Sequence, residues 1–291
     1  MPRRALRRAL AAMATAVSAV AVGLAAPTAH AAGPLPYVAL GDSYSAGSGI
    51  LPTDPRAPLF CLRSTLNYPN VIAARTGAAL TDVTCGGAQT KDFSTAQYPG
   101  VPPQLDAVGS GTRLVTLTIG GNDNNTFIGA LLACGTAGLA TGGQGSPCET
   151  LYGSTFADRI EGSTYPAVKA ALQKIRAKAP AAQVAVLGYP WILPPTAEPS
   201  CYAKMPIASG DVPYLRGIQA RLNEVIARAA RETGATYVDF SRASEGHDAC
   251  RAAGTRWVEP LLFGTNVVPV HPNALGESRM AEQTLTALGL G

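Results

Sequence analysis

The sequence predicts an α/β protein, a three-layer α/β/α sandwich whose central sheet is mostly parallel, and three observations carry that prediction. Short apolar runs rich in β-branched residues recur along the chain, stretches with helical spacing separate them, and the first three runs each end in a polar, glycine-rich turn. Strand and helix in alternation give parallel strands, and a parallel sheet must be covered on both faces.

Residues 1–31 read as an export signal instead of structure. Arg3, Arg4, Arg7 and Arg8 make a basic start, residues 10–26 form an apolar run, and Ala29-His30-Ala31 is a small-x-small cleavage site, with the cut expected after Ala31. The apolar run is shorter than the roughly 20 residues that span a bilayer, and no comparable stretch follows, so no stable membrane insertion is expected. The remainder, 32–291, shows neither an internal repeat nor a Gly/Ser linker and is expected to be a single domain.

Within it, strands are predicted at 37–40, 80–84, 114–119 and 183–187, with a fifth at 236–240. Residues 166–177 place Val168, Leu172 and Ile175 on one helical face. Residues 213–232 do the same with Leu215, Ile218, Leu222, Val225, Ile226 and Ala229, and Gly234 ends that helix. A last helix is predicted over 272–288, with Pro272 in its first turn. Segments 50–65, 133–154 and 190–211 are rich in glycine and proline and read as long loops, each carrying at least one cysteine.

Charge and cysteines narrow the class. The chain has 23 Lys and Arg against 19 Asp and Glu, and the leader holds four of the arginines and no acid, so the remainder is balanced. That balance gives no ground for a nucleic-acid or anionic-membrane partner. Cys61, Cys85, Cys134, Cys148, Cys201 and Cys250 form no CxxC pair, and an even number in an exported chain favours disulfides. Of the connectivities they allow, pairing neighbours closes the shortest loops: Cys61 with Cys85, Cys134 with Cys148, and Cys201 with Cys250.

In open parallel sheets ligands bind beyond the carboxyl ends of the strands. There the sequence puts Gly41-Asp42-Ser43-Tyr44-Ser45, then Cys85-Gly86-Gly87, then Gly120-Gly121-Asn122-Asp123. A serine nucleophile needs a base and oxyanion donors, and bases are scarce. His30 leaves with the leader. His247 lies in a polar loop beside Cys250, whereas His271 stands at a helix start near the C-terminus and is the expected base.

These blocks, in this order and with His271-Pro272-Asn273 near the end, resemble the GDSL or SGNH hydrolase family over nearly the whole chain after residue 31. The likeness is nearest to the secreted bacterial branch of lipases, phospholipases and esterases with three disulfides. It implies the SGNH-hydrolase form of the sandwich, a flavodoxin-like arrangement, and cleavage of carboxylic esters with Ser43 as nucleophile. The Ser43 and Gly87 N–H groups and the Asn122 amide would form the oxyanion hole. Asp42 and Asp123 would brace their turns. The chain departs from the family pattern where an aspartate commonly stands three residues before the histidine: that position is Val268. A main-chain carbonyl, of Val268 or Pro269, would then orient His271 in a Ser-His dyad, with a distant carboxylate such as Asp239 as the alternative.

The resulting expectation is a secreted, extracellular, monomeric serine hydrolase acting on a lipid or other carboxylic ester, with no cofactor and no metal. Leu51, Leu59, Phe60, Phe127, Ile128, Trp191 and Ile192 are candidate groove residues. The competing class is an exported binding module on a hydrolase fold, which the missing acid alone would favour.

Overall fold

The computed structural model describes residues 33–291; the expected export signal and cleavage site lie outside the described residues. Residues from Pro34 to Gly291 form one compact unit.

Five strands, β1 (Pro36–Gly41), β2 (Ala79–Asp82), β3 (Leu114–Thr118), β4 (Gln183–Leu187) and β5 (Thr236–Val238), make one sheet in the order β2-β1-β3-β4-β5. Every pairing is parallel. β3 and the interior of β1 and β4 are buried, as expected of central parallel strands, while the edge strand β2 alternates exposed and half-buried positions. The predicted strands at 80–84 and 236–240 stop short, at Asp82 and Val238, because the Thr84 and Ser241 N–H groups donate to the side chains of Asp82 and Asp239 two residues back, which turns the chain out of the sheet.

Among the described residues eight α-helices connect and cover the sheet: α1 (Ser43–Ala46), α2 (Tyr68–Thr76), α3 (Phe127–Ala140), α4 (Pro147–Tyr152), α5 (Thr155–Arg159), α6 (Tyr165–Lys178), α7 (Asp211–Thr233) and α8 (Ala274–Leu288). From β1 the chain crosses through α2 to one edge. From β3 it crosses through α6 and then α7 to the other, so right-handed connections put α2 on the face opposite α6 and α7. α8 packs on α2, and α6 on α7, which completes three layers. The predicted apolar stripe of α7 is buried, and Gly234 caps it with φ +69°. Two expectations are corrected. Much of the segment read as a loop over 133–154 belongs to α3 and α4. Pro272 lies before α8, whose N-cap is Asn273, with its side chain accepting from the Gly276 N–H.

The structure contains the disulfides Cys61–Cys85, Cys134–Cys148 and Cys201–Cys250. The first ties the excursion after α1 to the end of β2. Arg63 reinforces it, donating to the Thr84 carbonyl at 2.9 and 2.7 Å and facing Asp82 at 3.3 Å. Sheet order reverses at β1 and β3, and the crevice outside their carboxyl ends is where such a fold collects ligands.

Candidate active site

Gly41 ends β1 with φ +118°, and any Cβ there would sit 2.3 Å from the Thr118 carbonyl oxygen, so only glycine lets the chain leave the sheet at this point. Gln104 holds it from both sides, accepting from Gly41 N at 2.7 Å and donating to Gly41 O at 3.0 Å. Asp42 then caps α1 by accepting from the Tyr44 N–H at 3.0 Å. Ser43 is thereby the first helical residue, where a backbone N–H has no intrahelical acceptor.

Ser43 Oγ lies 2.6 Å from His271 Nε2, and His271 Nδ1 lies 2.7 Å from the Pro269 carbonyl. A carbonyl can only accept, so Nδ1 carries the proton and Nε2 is left to accept from the serine hydroxyl. Of the two carbonyls the sequence left open, it is that of Pro269 and not Val268. The selection is made by Val270, which adopts φ +59°, a conformation a β-branched residue rarely takes. Three bonds hold that turn. Tyr44 Oη donates to the Val270 carbonyl at 2.9 Å, Val270 N donates to Glu259 O at 3.1 Å, and Glu259 N donates to His271 O at 2.9 Å. Beneath it, Glu259 is fully buried and pairs with Arg256 at 2.6 Å, while accepting from Asn273 and the Thr265 N–H. Burial raises the Glu259 pKa, but Arg256, Asn273 and Thr265 outweigh it and hold the carboxyl below its ordinary value. Burial lowers the pKa of His271, with the Pro269 bond opposing, so the imidazole is biased toward its neutral, proton-accepting form.

Asp42 makes no hydrogen bond to His271. Its carboxylate takes Thr118 Oγ1 at 2.6 Å and the Tyr189 hydroxyl, which itself accepts from Gly121 N at 3.0 Å. Burial pushes its pKa up to about 6 against those donors. Asp239 is bonded to Ser241 N and Oγ and is not an acid partner for the histidine. His247 stacks on Trp257 and bonds the Thr255 carbonyl, away from Ser43.

Among the described residues neither the Ser43 nor the Gly87 N–H has an acceptor in the chain. Gly87 has φ +75°. The Asn122 amide donates one N–H to the Ala88 carbonyl at 3.2 Å, which orients it and leaves the second N–H unused. Asp123 clamps the two turns together, accepting from Thr90 N at 2.8 Å and Thr90 Oγ1 at 2.7 Å, so it braces the Gly87 turn as much as its own.

Ser43, His271 and Asn122 share a narrow cleft of about 40 Å³ with Phe127, Ile128, Leu131 and Ile192. Of the candidate groove residues, Leu51, Leu59 and Phe60 stand exposed outside this cleft. Trp191 is buried elsewhere, under the Arg216 guanidinium, with Nε1 on the Ser241 carbonyl. A larger cavity of about 470 Å³, lined by Leu193, Tyr202, Met205 and Ile207 among others, contains neither Ser43 nor His271. Sequence reasoning assigned no role to Tyr44, Thr118, Tyr189, Thr90 or Gln104. Tyr44 lies inside the Gly41–Ser45 block and was open to notice; Gln104, 63 residues from Gly41, left no signal.

Comparison with known proteins shows which family the chain resembles. A family model described as GDSL-like lipase/acylhydrolase matches residues 39–279. Lipase 2 of Streptomyces coelicolor is 67% identical, covering 100% of both chains. The crystal structure of phospholipase A1 from Streptomyces albidoflavus is similar with TM-score 0.72 at 31% identity, over 88% of this chain and 98% of that one. The extracellular lipase of Streptomyces rimosus is similar with TM-score 0.69 at 32% identity, with the same coverage.

Proposed function

Because the chain belongs to the GDSL-like lipase/acylhydrolase family and is a lipase or esterase of that family, we propose that it hydrolyses lipid-like carboxylic esters through an acyl-enzyme on Ser43. The observation that carries this reading is the 2.6 Å contact between Ser43 Oγ and His271 Nε2, with Nδ1 held by Pro269. Ser43 Oγ attacks the ester carbonyl carbon while its proton passes to Nε2. The oxyanion that forms is met by the Ser43 and Gly87 N–H groups and the free N–H of Asn122, donors that carry no titrating charge. Collapse expels the alcohol, which takes the proton from Nε2. Water then attacks the acyl-serine, giving a proton to the same histidine, and as the bond to Ser43 Oγ breaks Nε2 returns that proton to Oγ and the acid leaves. An alcohol in place of water would give acyl transfer by the same steps.

A carbonyl fixes the tautomer and ring orientation of His271 as a carboxylate would, but stabilises the imidazolium less. The three disulfides persist in oxidising surroundings, which supports export after removal of residues 1–31 and action outside the cell.

The test is initial rates on nitrophenyl esters from short to long acyl chains, with Ser43→Ala in parallel. The variant should lose at least about 10³-fold in kcat, keeping only what oxyanion donors and binding supply. Equal rates for both proteins would remove Ser43 from the mechanism. A folded wild-type chain inactive on every ester would bring back the binding module.

A further inference from the structure

The cleft holding Ser43 encloses about 40 Å³, far below the roughly 300–1,000 Å³ of sites that bury a small molecule. A long acyl chain cannot be withdrawn from water into such a slot. Its apolar surface has to be covered elsewhere.

Large apolar side chains stand in solvent on two segments beside the slot. Leu51, Leu59 and Phe60 follow α1, Phe263 and Val267 precede His271, and each keeps 65–82% of its surface exposed. The two segments touch each other next to the base, and the first also reaches the turn that carries Gly87. On the oxyanion side, the Phe60 ring lies 5.8 Å from Tyr98, whose hydroxyl a Cβ on Gly87 would face at 3.9 Å beside Gln97 Nε2 at 3.8 Å, and Cys61 is bonded to Cys85. On the base side, Val267 N meets the Gly49 carbonyl at 3.4 Å, and a Cβ on Gly49 would lie 3.0 Å from Val268. Single exposed apolar residues are ordinary, but five on two segments that adjoin at Gly49 and Val267, one following the helix of Ser43 and the other leading into His271, are not.

Charge narrows what they meet. Residues 260–271 carry no Asp, Glu, Lys or Arg. Residues 49–66 carry three, of which Asp54 and Arg56 pair at 3.1 Å and the buried Arg63 faces Asp82. No unpaired charge is left on either segment to select an anionic surface.

We infer that these residues form a rim that adsorbs the protein, mouth down, on a neutral or zwitterionic lipid surface, so that the ester reaches Ser43 while its acyl chains stay in the lipid phase. This rests on the ester-hydrolase reading for its substrate, but the adsorption itself does not need hydrolysis. The part of the rim that follows α1 is tethered to the end of β2 by the Cys61–Cys85 bond and by Arg63.

The test uses the oxidised protein with phosphatidylcholine vesicles, and reads sedimentation with Ser43→Ala so that binding is measured without turnover. Against that background, Phe263→Asn with Val267→Ser, and separately Leu59→Ser with Phe60→Ser, should each weaken vesicle binding by at least about tenfold, whereas raising salt should change it by less than about twofold. In the active enzyme the same pairs should lower vesicle hydrolysis similarly and leave kcat/KM on a soluble short-chain nitrophenyl ester within about twofold. Unchanged sedimentation by both pairs, or adsorption that requires anionic lipid, overturns the inference. Failure of the wild-type enzyme on the soluble ester would sink the hydrolase reading alone, since the binding assay stands apart from it.

Discussion

Burial lowers the pKa of His271, and the carbonyl of Pro269 opposes that less than an ionised carboxylate in its place would. The histidine works as a base only when neutral, so activity is present above its folded pKa and lost as pH falls through it. The acid limb of kcat/KM should therefore have its midpoint below about 6.5, the value of an unperturbed histidine. A midpoint above about 7 would mean that a carboxylate had been overlooked. At this scale the sequence was informative where chemistry is scarce: two histidines lie beyond residue 31, and only His271 stands at a helix start. It could not choose between Val268 and Pro269, because the choice depends on the left-handed turn at Val270, which is imposed from outside by Tyr44 and Glu259. Nor could it show Tyr189 against Asp42, a contact made across 147 residues.

Among elements, the strands were legible because β-branched apolar runs have few other uses in a charged, helical context, and β4 coincides with its predicted span. α3 was missed for the opposite reason. Its sequence is apolar or small around the whole circumference, with Gly129, Gly135 and Gly138 in it, and so shows no stripe against a polar face. The turns that carry the oxyanion donors belong to different strands, and their spacing depends on Asp123 bridging to Thr90. Removing that bridge should let the Gly87 turn drift relative to Asn122 without touching Ser43 or His271. Asp123→Ala is expected to lower kcat by about tenfold with KM nearly unchanged, since the donors matter most to the charge that develops in the transition state. A variant that raised KM alone would assign Asp123 to substrate binding instead.

Across the whole molecule, the helical layer of α2 and α8 is joined to the site layer by buried polar groups whose charge state depends on the fold. Ser45 Oγ bonds both Tyr68 Oη at 3.0 Å and Thr118 Oγ1 at 2.8 Å, and Thr118 reaches Asp42. Tyr68 opens α2, and its N–H donates at 2.6 Å to Glu277 of α8. Glu277 is fully buried, and its other oxygen has no partner among the described residues. Burial raises its pKa well above the usual value; the Tyr68 N–H opposes this and the nearby carboxyls of Asp82 and Asp42 add to it. The folded chain thus holds a proton on Glu277 that the unfolded chain releases near pH 4.5. Its contribution to stability is complete below that pH and is lost as pH rises toward the folded pKa. A glutamine side chain in its place would carry no charge at any pH. The melting temperature of Glu277→Gln should therefore rise relative to the wild type between about pH 4.5 and pH 8, by about 2–4 °C for each ~1 kcal/mol of linkage. Parallel melting curves across that range would mean that Glu277 keeps its charge in the folded state and has an unseen partner between α2 and α8.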